Sequence, residues 1–183
     1  MWQRMLQIGS GGISPKIIDL VPKMTGYNTW SNLEEGQVGG VVEVSSVFGD
    51  GLYGQYGWKA FAQLPSLSGS DMWNPKNEDA NAWIQYRFSS PTCVKRFTIT
   101  NRIDDDRNLN MKDIELLASY DGTFTDVDNP LGTYTNSNVM GGTTSFDVNN
   151  DKYYLYYRVR TVSKYNKSIS AAVAQLHFYG HSL

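Results

Sequence analysis

Two loop stretches carry the side chains most suited to chemistry. The first is Trp73-Asn74. The second runs from Arg102 through Asp104, Arg107, Asn108 and Asn110. Together they offer what a protein needs to hold a neutral sugar. Flat apolar faces meet the ring's C–H groups, and planar polar side chains bridge adjacent hydroxyls, provided that each is already fixed in place. Tyr165-Asn-Lys167 precedes the last strand-like run and would close the same end. A plainer alternative stands beside this one. Trp73 would be a core side chain, and Arg102 would pair with Asp104 or Asp106 on the surface.

Other chemistries find less support. The two histidines, His177 and His181, both lie near the C-terminus, and no nucleophile elbow, paired-histidine zinc motif or phosphate loop is present. His177 alternates with Leu176 and Phe178, so it is expected on the non-core face of a strand. Asp104-Asp-Asp106, with Asn108, would welcome a cation because the three carboxylates repel one another. Their spacing fits no known ion-binding loop, and a solvated loop tip is the simpler expectation. The lone Cys93 excludes an internal disulfide and a cysteine metal cluster, and reads as a buried, inert thiol.

Strands must position these loops. Asn81–Phe88 is the clearest: Ile84, Tyr86 and Phe88 alternate with Gln85 and Arg87, and Trp83 adds bulk to the opposite face. Ser89-Ser-Pro91 reads as the turn that ends it. Further strands are expected over Val41–Val47, Cys93–Thr100, Asp113–Tyr120, around Phe146 and Val148, over Tyr153–Val162 and from Ala172 to Tyr179. Asp121-Gly122 marks a turn. Phe48–Gly57 is glycine-rich and reads as an exposed loop, and Trp58–Ala62 as a single helical turn. No long helical period and no internal repeat is present. The fold class is therefore all-β: an antiparallel jelly-roll sandwich of about eight strands.

Composition narrows the function. The 183 residues suit one domain with a proper core. Net charge is −2 and only 19% of residues are charged, which excludes a strong nucleic-acid footprint. Aromatics reach 13%, with twelve tyrosines, a load that suits strands and sugar- or protein-facing surfaces. No stretch is long and apolar enough to span a membrane. The first twelve residues lack the pattern of a signal peptide. Trp2, Arg4, Leu6 and Ile8 share one face and Gly9–Gly12 follow, so residues 1–16 read as an arm on a glycine joint, used as an anchor or oligomer contact, or as a frayed end.

Several pieces in this order resemble the discoidin, or coagulation factor 5/8 C-type, family of galactose-binding-like jelly rolls. They are Ser45-Ser46, Trp58-Lys-Ala-Phe61, Trp73, Trp83–Phe88, Val94 with Phe97-Thr-Ile99, Arg102, Asp113–Leu116, Ser119–Gly122, Tyr157–Arg160 and Gln175–Gly180. By position, the resemblance implies that Arg102, Asn108 and Asn74 grip sugar hydroxyls. Its frequent structural calcium uses an acidic residue just after the Ala-Phe pair and a glutamate in the last strand. This sequence holds Ala62 and Gln175 there, so no cofactor is expected. Tyr53 and Tyr56 correspond to tips that membrane-binding relatives insert, but Asp50 shares their loop and no Lys or Arg precedes Lys59, so lipid insertion is not expected.

Asp19–Thr25, Val44–Val47 and Trp58–Phe61 are similar, more narrowly, to copies of this domain in bacteriophage tail and fibre proteins. That likeness implies a non-enzymatic virion protein, made in the host cytoplasm and contacting bacterial surface glycan. Its partners would be other virion proteins through the arm and further copies of itself, a trimer for example. A structural decoration without a ligand and a cellular carbohydrate-binding module are the alternatives.

Overall fold

A computed structural model describes residues 16–103, 108–124, 130–166 and 170–183. Eight strands appear in chain order: β1 (Ile18–Asp19), β2 (Gly40–Val44), β3 (Trp83–Thr100), β4 (Asp113–Ser119), β5 (Gly132–Thr135), β6 (Thr143–Asp147), β7 (Tyr154–Thr161) and β8 (Gln175–Ser182). All their pairings are antiparallel. The only helical segments among the described residues are two 3-10 turns, Phe48–Gly51 and Gly57–Phe61.

The 18-residue β3 joins the two halves of the sheet. Its first part pairs with β2 and β7, and its second with β8 and β6. The exchange of neighbours falls between Arg87 and Thr92. Ser89–Pro91 is thus not the expected turn. The backbone stays extended through it, and a proline, which has no N–H to give a ladder, is tolerated where the ladder changes partners. Tyr157 fills this bend: its hydroxyl donates to Thr92 O at 2.8 Å and accepts from Val94 N at 3.1 Å. Gly180 sits against the same place, where an added Cβ would stand 2.0 Å from Cys93 O.

The inner faces carry the alternating apolar residues, as the period of two requires. Ile84, Tyr86 and Phe88 are buried, with Phe97, Ile99, Ile114, Leu116, Ala118, Tyr157, Val159, Leu176 and Phe178. Rings from the two halves meet in the middle, Phe178 lying 6.4 Å from Phe88 and 5.9 Å from Tyr157. Each such side chain contributes roughly 1.5–3 kcal/mol by burial. Cys93 is buried as expected, and burial pushes its thiol pKa up, away from reactivity.

The outer face of the first half is also organised. The Arg158 guanidinium lies 3.9 Å from the ring centres of both Trp83 and Phe124, and its Nε donates to Gln85 Oε1 at 2.9 Å. Gln85 is therefore covered rather than exposed, unlike a simple polar-face residue. His177 lies on the outer face of β8, where its Nδ1 meets Asp19 Oδ2 at 2.7 Å and ties β1 to the sheet.

Candidate functional site

Three connections gather at the end of the sandwich where β2 ends, β3 begins and ends, and β8 begins, the long β2–β3 connection contributing at both its start and its end. They enclose a cleft of about 170 Å³. Phe48, Tyr53 and Gln55 come from the loop after β2, Asn74 and Asn77 from the loop before β3, Arg102 and Leu109 from the loop after β3, and Ser170 from the loop before β8.

The polar groups of this cleft are fixed by one another. Asn74 Nδ2 donates to Gln55 Oε1 at 2.9 Å, and Gln55 Nε2 donates to Gly69 O at 2.9 Å. Ser170 Oγ donates to Asn74 Oδ1, and Ser170 N donates to Asn77 Oδ1 at 3.1 Å. Arg102 is only 5% exposed and, among the described residues, is the one charged side chain lining the cleft. On the open side, Tyr53 is 57% exposed and packs against Phe48 with ring centres 5.4 Å apart. The result is an aromatic wall beside a preset row of planar amides and a guanidinium. Such an array is able to hold a ligand by hydrogen bonding and C–H contact.

Asn74 and Arg102 are thus brought together as expected. Trp73 is not a ligand platform: it is 0% exposed, because its indole lies in the core and its Nε1 donates to Ser46 O at 3.0 Å. Tyr53 takes the aromatic place instead.

Asn108 and Asn110 lie beside the cleft rather than on its lining. Asn110 is 2% exposed and donates to Asn138 Oδ1 at 3.2 Å, while Asn138 Nδ2 donates to Asn108 Oδ1 at 3.1 Å. This asparagine ladder joins the loop after β3 to the one before β6. Tyr165 belongs to it, donating from its hydroxyl to Asn136 O at 2.6 Å. Asp104, Asp106, Arg107 and Lys167 lie outside the described residues, as does the arm up to residue 15.

Sequence reasoning missed Phe48, Gln55, Asn77, Leu109 and Ser170. Only the position of Gln55 and Asn77 in polar loops hinted at them. Tyr56, the other expected tip, is half-buried against Tyr27 at 6.3 Å. Ser45 and Ser46 brace the site from below, both hydroxyls donating to Asp79 Oδ2 at 2.6 Å.

The residues at the two calcium positions do not fit that ion. Ala62 is buried and apolar, and Gln175 Nε2 donates to Leu64 O at 2.9 Å. The Gln175 amide N–H is thus spent on a backbone carbonyl, and neither position supplies a carboxylate.

The F5/8 type C domain model matches residues 42–173. The chain belongs to the F5/8 type C family. No curated protein matches the sequence. Among solved structures, this F5/8 type C domain is similar to the family 32 carbohydrate-binding module of Clostridium perfringens NanJ, solved in complex with galactose. Identity is 15%, coverage is 76% of this chain and 93% of that one, and the TM-score is 0.60. An F5/8 type C domain from Bacteroides fragilis is 12% identical, with coverage of 79% and 93% and a TM-score of 0.63. A fucose-binding module from Streptococcus pneumoniae is 17% identical, with coverage of 76% and 90% and a TM-score of 0.56.

Proposed function

We propose that this domain is a non-catalytic glycan-binding module that holds a neutral sugar in the rim cleft. One observation carries this: Tyr53 presents an exposed ring in the cleft that Arg102 also lines, beside Asn74, Asn77 and Gln55, whose polar groups the loop network has already placed. A cleft of this size engages only a short stretch of glycan and binds weakly by itself, so attachment calls for many copies acting together. Two of the structural neighbours are described as bound to galactose or as binding fucose, which supports the class of ligand.

The setting we propose is a bacteriophage virion, where the arm of residues 1–16 anchors the domain to other virion proteins and copies assemble on a symmetric particle. It rests on the narrower sequence likeness given above. Tail or capsid genes beside this one would support it, and a glycosidase domain in the same polypeptide would favour a cellular module.

A glycan array with the protein clustered on beads tests the site. Arg102→Ala and Tyr53→Ala should each remove the hits on neutral glycans, the only hits by which the rim cleft is judged. Tyr53 is exposed, so its loss should leave folding intact. Hits that survive both substitutions overturn the rim cleft as the site, and no hit at high avidity overturns the glycan reading.

A further inference from the structure

A second cleft, of about 390 Å³, opens at the opposite end of the sandwich. It lies where β2 and β7 begin and where β3 changes partners. Trp30 and Asn28 form one side, and Arg87, Ser89 and Tyr156 the other.

The components are held rigidly. Val41, Arg87 and Tyr156 are direct cross-strand partners, so their side chains stand in one row on the outer face of β2, β3 and β7. Trp30 sits on a tight loop closed by a bridge to Met24 and by bonds from Thr25 N and Gly26 N to Thr29 O and from Ser31 N to Lys23 O. Its indole lies on Gly39, where any Cβ would stand 2.4 Å from the ring, yet the residue remains 36% exposed. Tyr156 is steadied by Phe124, whose ring meets it edge-on at 6.4 Å.

The charge of the cleft is one-sided. Arg87 is exposed, and among the described residues none that lines the cleft is acidic. A guanidinium presented this way matches a carboxylate with two parallel hydrogen bonds. An exposed indole beside it suits the C–H face of a pyranose ring, and Asn28 and Ser89 suit its hydroxyls. Trp30 and Asn28 precede the family-matched residues 42–173, whereas Arg87, Ser89 and Tyr156 fall within them.

We infer that the Trp30–Arg87–Tyr156 cleft is a second saccharide site, selective for a carboxylated sugar, with Arg87 holding the carboxylate and Trp30 covering the ring. The domain would then grip glycan at both ends. Neutral sugar occupies the rim and acidic sugar the far end, so a single copy can bridge two chains of a surface polysaccharide.

The experiment is a two-dimensional amide and indole NMR titration of the full chain. The probes are trigalacturonic acid and its methyl ester, which has the same rings without the charge. The acid should shift the Trp30 indole N–H and the amides around Arg87. Arg87→Gln should weaken its binding at least tenfold, a loss of about 1.4 kcal/mol. Tyr53→Ala should leave it unchanged, which separates this site from the rim cleft. The ester should bind the native chain no better than the acid binds Arg87→Gln. Shifts confined to the rim residues, an affinity indifferent to Arg87→Gln, or equal binding of acid and ester would each overturn the assignment.

Discussion

Ser170 and Asn74 are 96 residues apart in the chain, yet the Ser170 hydroxyl donates directly to the Asn74 side-chain oxygen. This contact locks the amide of Asn74 between Ser170 and Gln55 and gives the rim cleft its preset acceptor and donor geometry. Ser170→Ala leaves a buried acceptor without its donor. Stability should fall by about 1–3 kcal/mol, and sugar affinity should fall severalfold because Asn74 must then be ordered on binding. Asn74→Ala should cost at least tenfold in affinity. Chemical denaturation and calorimetric titration of the same variants measure both effects.

Trp73 is predicted to behave as a core residue and not as a binding residue. Trp73→Ala should destabilise the fold by about 3–5 kcal/mol through the cavity it leaves. Trp73→Phe keeps most of the volume but strands Ser46 O, and should retain glycan binding at reduced stability. A Trp73→Phe variant that melts normally but loses its sugar would contradict the buried placement.

The tyrosines predict an alkaline limit. Burial holds the hydroxyl pKa values of Tyr86 and Tyr157 well above the ordinary 10.0, and those of Tyr27, Tyr134 and Tyr179 are raised by the same cause. A group whose folded pKa is raised binds its proton more tightly in the native state. Its stabilisation is complete below the unfolded value and is lost as pH rises above about 10. One group works in the other direction: burial lowers Arg158 to about 10, so its share of stability grows with pH above that value. The tyrosines outnumber it, and denaturation midpoints should fall steadily above pH 10. Tyr157→Phe should cost about 1–3 kcal/mol at neutral pH, since Thr92 O and Val94 N lose their partner in the β3 bend, and should make the alkaline fall less steep. Tyrosinate absorbance followed against pH checks the order of events, because Tyr86 and Tyr157 should ionise only with unfolding.

Calcium should not stabilise the domain. With Gln175 donating to Leu64 O and Ala62 opposite, neither position supplies the charge that a hard cation requires. Melting curves in excess calcium and in chelator should superimpose. A midpoint that rises with calcium concentration, as binding to the native state demands, would reveal a site elsewhere in the chain.

The sequence by itself determined the class of fold and most of its strands. Alternation in Ile84–Phe88, Asp113–Ala118 and Tyr157–Val159 is a local property, because a strand with one buried face must place every second side chain inward; it fails at the start of β7, where Tyr154 rather than Leu155 packs on the core. Arg102 and Asn74 were also legible, since each sits at the edge of a strong strand signal. Trp83 showed as bulk on the outer face, although nothing local announced that Arg158 would cover it. The short β5 escaped notice, as Gly132-Thr-Tyr-Thr135 carries only one large apolar residue and depends on pairing with β4.

Tertiary structure alone decided the rest. A lone proline signalled a turn at Ser89–Pro91, but the sheet continues there because β8 takes over the ladder from β7. Trp73 shows the same principle in the opposite sense. A tryptophan at the end of a polar loop has the composition of a binding residue whether its ring faces solvent or core. Only the closure of the bridge to Val173 and the bond to Ser46 O turned it inward and left Tyr53 on the surface. Partners such as Asn74 and Ser170, or Trp30 and Arg87, meet through long-range pairing of strands, and spacing along the chain carries no record of those meetings.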